Sequence, residues 1–209
     1  MKVREKKRKT RSDKKKEVKP TLPLKLRECI YRISYITNTP VKDVAESLCE
    51  SGITSRKVMD HLSQYFRRDI RLLNTLYLGD LDRPSLQKKT KEAKERISIK
   101  FTQGTYENIS SLSYALDVTP TKATMLLLEA SIKNSEFINE YVEKHLGSYI
   151  TEGKIKELKK VLKFINDNNP YEEEFSWTHL ISYFFDELKS GSSNIKNTIN
   201  EWIDKNKMD

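Results

Sequence analysis

The sequence predicts a mainly α-helical protein: two related units, each with one short β-strand ahead of its helices, then a further helical region at the C-terminal end. Apolar residues recur at helical spacing along most of the 209 residues, the pattern of helices that bury one face. One run departs from it. Ile97-Ser98-Ile99-Lys100-Phe101 alternates with period two, as a half-buried strand does. The third observation is that one order of residues returns about 80 positions later. Ile30, Ile33, Ser34 and Tyr35 match Ile109, Leu112, Ser113 and Tyr114 at an offset of 79, and Thr39-Pro40-x-Lys42 matches Thr119-Pro120-x-Lys122 at 80. Leu48 with Leu128, Ser51 with Ser131, Ser55 with Ser135, Val58 with Ile138 and Leu62 with Val142 continue the match. This reads as duplication of a three-helix unit, with one extra residue in a turn, where insertions are tolerated.

The elements follow in order. Residues 1–17 read as a solvated, disordered arm, with no apolar residue between Met1 and Val18 except Val3. Of the 39 basic and 30 acidic residues, 11 and three lie in the first twenty positions, which leaves 28 against 27 in the body. Residues 18–82 form the first unit. Leu26, Ile30, Ile33 and Ile36 mark its first helix. Thr39-Pro40 opens the second, with Thr39 as N-cap and Pro40 at the first helical position, where a missing amide costs nothing. Val41, Val44, Ala45 and Leu48 are its buried face and Gly52 its stop. A third helix starts near Thr54-Ser55 with Val58, Met59, Leu62 and Phe66 inward, and Leu72 to Leu81 reads as its extension. Residues 83–95 read as a linker.

Residues 96–147 form the second unit: the strand, then two helices broken at Val118-Thr119-Pro120. Consecutive Leu126, Leu127 and Leu128 demand a helix buried nearly all round. Residues 148–209 read as a separate helical region with three stripes: Ile155, Leu158, Val161, Leu162 and Ile165; Trp177, Leu180, Ile181, Phe184, Phe185 and Leu188; Ile195, Ile199, Trp202 and Ile203.

Composition narrows the chemistry. A basic arm on a near-neutral body points to a polyanion, with nucleic acid the commonest for a soluble protein. The arm residues Lys6, Lys7, Arg8, Lys9, Arg11, Lys14, Lys15 and Lys16 would supply affinity without sequence choice. No apolar segment follows the arm as in a signal peptide, and no window is long enough to span a bilayer, so a cytoplasmic protein with no membrane partner is expected. Cys29 and Cys49 read as free thiols. No phosphate-cradling glycine loop occurs, and His61, His145 and His179 stand apart from other ligands, so neither a cofactor, a metal nor enzymatic activity is expected.

In the strand, Ile97, Ile99 and Phe101 share one face and Ser98, Lys100 and Thr102 the other. A two-stranded antiparallel ribbon is narrow enough for the major groove of duplex DNA, where Lys, Ser and Thr reach base edges. The helix opening Thr119-Pro120-Thr121-Lys122 offers unpaired amides, a positive dipole end and a lysine to a phosphate. Thr39 and Lys42 offer a second such opening.

Arg96-Ile-Ser-Ile-Lys-Phe101, an amphipathic helix, and then Leu116-Asp-Val-Thr-Pro-Thr-Lys-Ala-Thr-Met-Leu-Leu-Leu-Glu-Ala130 resemble the ribbon-helix-helix (MetJ/Arc) family of bacterial, plasmid and phage DNA-binding proteins, over about forty residues. The resemblance implies one short strand per motif, pairing of two motifs into a groove-reading ribbon, and base reading by Ser98, Lys100 and Thr102. It implies phosphate contacts from Arg96, Thr119, Thr121 and Lys122. In the first unit the aligned strand is Val18-Lys19-Pro20-Thr21-Leu22, where proline removes a ladder amide. If that strand pairs, one chain is a pseudo-dimer with Lys19 and Thr21 as further readers; otherwise the second unit pairs with another chain as a homo-oligomer. A competing resemblance, to a helix-turn-helix with an overlong turn, runs from Val44-Ala45-Glu46-Ser47-Leu48 through Gly52 to Thr54-Ser55-Arg56-Lys57-Val58, with Ser55, Arg56 and Lys57 facing the groove. The expected function is sequence-specific double-stranded DNA binding, as a repressor or a partition or replication accessory factor. The alternative is a helical adaptor with a nonspecific basic arm and a protein partner on the C-terminal helices.

Overall fold

The computed structural model describes residues 14–87, 93–145, 151–167 and 169–171. The described chain is mainly helical with short antiparallel strand pairs. In order it runs β1 (Lys16–Val18), β2 (Thr21–Pro23), α1 (Leu24–Thr37), α2 (Val41–Thr54), α3 (Arg56–Ser63), β3 (Ile70–Leu72), β4 (Thr75–Tyr77), β5 (Lys94–Arg96), β6 (Ile99–Phe101), α4 (Gln103–Ala115), α5 (Pro120–Ile132), α6 (Ser135–His145) and α7 (Glu152–Asn166).

The strand led by Lys94 finds its partner inside the same chain. β1 pairs antiparallel with β6 and β2 with β5, in one register that sets Glu17 opposite Lys100, Val18 opposite Ile99 and Thr21 opposite Arg96. Pro20 interrupts this ladder without abolishing it. It has no amide to donate, but its carbonyl still accepts from Ile97 N at 3.2 Å. Two boundaries therefore move: Lys16 and Glu17 belong to the ribbon and not to the arm, and Lys94 and Glu95 belong to it and not to the linker.

Beneath the ribbon the two strand–helix–helix segments take the same course 79 residues apart. Asn38 and Asp117 are the left-handed residues that end α1 and α4, both at φ 53°. Thr39 N donates to Ser34 O at 3.1 Å, and Val118 N to Ser113 O at 3.0 Å. Val44, Ala45, Leu48, Cys49 and Ile53 of α2 are buried, as are Ala123, Thr124, Leu127, Leu128 and Ile132 of α5. The backbone therefore has no extra residue in the second turn. The Thr-Pro pairs are out of step by one: Thr119 caps α5 with Pro120 inside the helix, whereas Pro40 itself is the N-cap of α2 and carries no capping hydroxyl. Thr39 instead donates its hydroxyl to Thr37 O at 3.3 Å.

Equivalent positions meet where α2 crosses α5. Gly52 faces Ser131 so closely that a Cβ on Gly52 would lie 1.9 Å from Ser131 Oγ. Just beyond, Asn134 Nδ2 donates to Ser55 Oγ at 3.2 Å. Leu127 and Leu128 are buried and Leu126 partly so, as a helix gripped from several sides requires.

Residues 70–77 do not extend α3. They form a hairpin, β3 against β4, because Ile70 and Leu72 alternate inward with Arg71 outward and Leu73 takes a left-handed turn at φ 52°. The segment before it locks the two units together: Arg67 N and Arg68 N donate to Ala115 O at 2.7 and 3.2 Å, at the carbonyl end of α4. Arg68 adds an ion pair to Asp117 at 2.7 Å and a hydrogen bond to Tyr114 O at 3.0 Å, a cation at the negative end of a helix. Gly79 is required here, since a Cβ would lie 2.4 Å from the Arg68 backbone.

Far from standing apart, α7 packs on α1. Ile155, Leu158, Val161, Leu162 and Ile165 are buried in the common core, and Glu157 pairs with Arg32. The stripes expected around Trp177–Leu188 and Ile195–Ile203 lie outside the described residues, as do Lys6, Lys7, Arg8, Lys9 and Arg11 of the arm.

Candidate nucleic-acid interface

The alternation of the ribbon sorts its side chains into two faces. Val18, Leu22, Ile97, Ile99 and Phe101 are buried on the helices. Glu17, Lys19, Thr21, Arg96, Ser98 and Lys100 are exposed on the other face. The apolar side holds the ribbon flat against α2 and α5, leaving the polar side in solvent. Arg96, expected at a phosphate, shares this face with the residues expected to read bases.

Glu17 organises that surface. Ser98 Oγ donates to Glu17 Oε1 at 2.6 Å, and Lys19 Nζ lies 3.2 Å from Glu17 Oε2. The Ser98 hydroxyl bond, with Lys19 beside it, holds the Glu17 carboxyl below its ordinary value, so this face keeps one carboxylate among three cations at neutral pH. Thr102 is different. It is the N-cap of α4, and its Oγ1 accepts from Thr105 N at 3.2 Å, so its hydroxyl serves the strand-to-helix junction.

The helix openings flank the two ends of the ribbon, and they are unlike. On the side of β2 and β5, Thr119 Oγ1 accepts from Lys122 N at 3.3 Å and lies 2.9 Å from Thr121 Oγ1. Partial burial, with Lys94 as a second cause, pushes the Lys122 ammonium below its ordinary value. Thr119 and Lys122 also line a cleft of 570 Å³ with Gln87, Ser113 and the paired Arg68 and Asp117. On the side of β1 and β6, α2 opens on Pro40, with Lys42 exposed and Asp43 in its first turn. Lys15 Nζ pairs there with Glu46 at 2.5 Å, a bond that raises the lysine above its ordinary value.

The residues of the competing helix-turn-helix assignment have other occupations. Ser55 Oγ caps α3 by accepting from Val58 N at 3.4 Å, besides its bond from Asn134. Arg56 pairs with Asp60 at 3.5 Å, and Lys57 lies over the Tyr171 ring at 5.6 Å. The concavity they line also contains Asp60, Glu136 and Glu140, carboxylates that oppose a polyanion.

Lys94 sits with the named residues, beside Lys19 and Thr21, the further readers expected if the first strand pairs. Lys94 was legible as the start of the alternation Lys94, Arg96, Ser98, Lys100. Arg68 had no local signal, because it reaches α4 only through the fold. Among the described residues no group of three or more His, Cys, Asp or Glu side chains could hold a metal ion, and no helix is long and apolar enough to cross a membrane. Comparison with protein-family models, with curated proteins and with solved structures found no match.

Proposed function

We propose that this protein is a sequence-specific double-stranded DNA-binding protein of ribbon-helix-helix type, with both motifs of the dimer joined in one chain by duplication. One observation carries the reading: a two-stranded antiparallel ribbon with an apolar face on its helices and Lys19, Thr21, Arg96, Ser98 and Lys100 turned to solvent. Its strands lie about 4.8 Å apart, and the major groove is about 12 Å wide, so the ribbon enters where a larger sheet would not. Arg96 and Lys100 suit guanine edges, Glu17 a cytosine amino group, and Ser98 and Thr21 either partner. Thr119, Thr121 and Lys122 hold a backbone phosphate at the amide end of α5, with Lys94 adding charge. The basic residues before Lys14 add affinity without specificity. Such a protein acts as a repressor or as a partition or replication accessory factor.

Selection of bound duplexes from a random pool tests this. Lys100→Ala is expected to relax preference at one or two base pairs by about 1–3 kcal/mol; unchanged affinity and unchanged preference refute groove reading. The adaptor reading draws on Leu73, Leu76, Leu78 and Leu81, all more than half exposed on and beside the β3–β4 hairpin. It predicts equal binding to random and selected duplex, with no footprint.

A further inference from the structure

We infer that one chain recognises an asymmetric duplex site, in a single orientation, and not a palindrome. This rests on the DNA-binding reading above and extends it to the form of the target. A ribbon built from two identical strands presents the same readers twice about its two-fold axis and so matches a palindrome. Here the strands differ. The register passes its centre at Lys19 and Ser98, and positions related by the 79-residue offset carry unlike chemistry: Glu17 with Arg96, Lys19 with Ser98, Thr21 with Lys100.

Each end of the outward face therefore has its own character. Thr21 and Arg96 stand at one end, a hydroxyl and a guanidinium that favour a guanine edge. Glu17 and Lys100 stand at the other, a carboxylate that accepts from a cytosine amino group beside an ammonium that donates to guanine. The flanks sharpen the difference. The Thr21–Arg96 end adjoins α5, whose first turn has the Thr119 cap and Lys122 next to Lys94. The Glu17–Lys100 end adjoins α2, whose opening has no capping hydroxyl and bears Asp43, with Glu46 held by Lys15. The described chain enters the ribbon at this second end, through exposed Lys14. Charge for the backbone thus comes from the α5 opening on one side and from the entry of the chain at Lys14 on the other.

The test uses the full chain. Duplexes selected from a random pool are compared with the two palindromes made by doubling each half of the selected site. Each palindrome is expected to bind about tenfold or more weakly, since it puts mismatched base pairs under one end of the ribbon. Sedimentation of the complex is expected to give one chain per site. A Lys14→Cys variant labelled with an iron chelate beside β1 is expected to cleave DNA on one flank alone, because Cys29 and Cys49 are buried and do not take the label. A palindromic selected site, two chains bound symmetrically, or equal cleavage on both flanks overturns the inference while leaving DNA binding intact. A pool that enriches no duplex removes the DNA reading and this inference together.

Discussion

Gly52→Ala probes the crossing on which the ribbon rests. The added methyl would lie 1.9 Å from Ser131 Oγ, 3.0 Å from Ser131 Cβ and 3.1 Å from Leu127 Cδ1. The hydroxyl can rotate away, but only by giving up its 2.7 Å bond to Leu127 O, a loss of about 1 kcal/mol. The Cβ cannot. Carbon atoms settle at about 3.5–4.0 Å, so α2 and α5 must part by about half an ångström or more. Overpacking of this kind costs about 1–3 kcal/mol, and the better helix propensity of alanine returns about 1 kcal/mol. The net expectation is a destabilisation of about 1–3 kcal/mol, read from the midpoint of urea unfolding at unchanged slope. In a double-mutant cycle, Ser131→Gly should recover at least about 1 kcal/mol of the loss. If Gly52→Ala instead raises stability by the full helix-propensity value, the two helices do not approach as described.

The ribbon and the α2–α5 crossing lie within one chain, so Tm should stay constant over about a hundredfold range of protein concentration; a rise with concentration would assign part of the core to a second copy. Deleting residues 1–13, which spares β1, should lower DNA affinity and flatten its salt dependence by about 0.9 per lost phosphate contact, and a changed site preference would contradict the division between arm and ribbon. Burial holds the Cys29 and Cys49 thiols above the ordinary value of 9.0. Unfolding frees them to ionise, so stability present below pH 9 should fall as pH rises beyond it, by up to about 1.4 kcal/mol per pH unit for each thiol. Comparing denaturation at pH 8 and 10 with a Cys29→Ala, Cys49→Ala variant checks this, and an equal slope without the sulfurs rules it out. Thr119→Ala should cost about 1 kcal/mol of stability through the lost cap and weaken DNA binding evenly across sequences, an outcome that a selective loss for one site would contradict.

Local pattern determined the helices and the strand of the second unit. The 3.6-residue stripes of α1, α2, α5 and α7 and the alternation of Ile97, Ile99 and Phe101 each follow from which side chains must leave water, and this requires no knowledge of neighbours. Ile30, Ile33 and Ser34 stand to Ile109, Leu112 and Ser113 at the same 79-residue spacing as the ends of α1 and α4, whereas the later matches, such as Leu48 with Leu128, are one residue out of step with it. The tertiary structure decided what these elements meet. Pro20 argued against a ladder in the first unit, yet its own carbonyl still accepts from Ile97 N and the strands pair before and after it, which buries Val18 and Leu22. The hairpin of residues 70–77 alternates only over Ile70, Arg71 and Leu72, too short a run to set it apart from an extension of α3 before α4 offers its carbonyl end to Arg67 and Arg68. Thr39-Pro40 and Thr119-Pro120 look alike as letters, but the turns that end α1 and α4 deliver them to different positions on the following helix, and one residue decides whether a threonine caps or does not. The outward face of the ribbon was the largest such decision: chemistry at Ser98 and Lys100 was written in the chain, but their alignment with Thr21, Lys19 and Glu17 came from a contact some 80 residues distant, which local periodicity cannot encode.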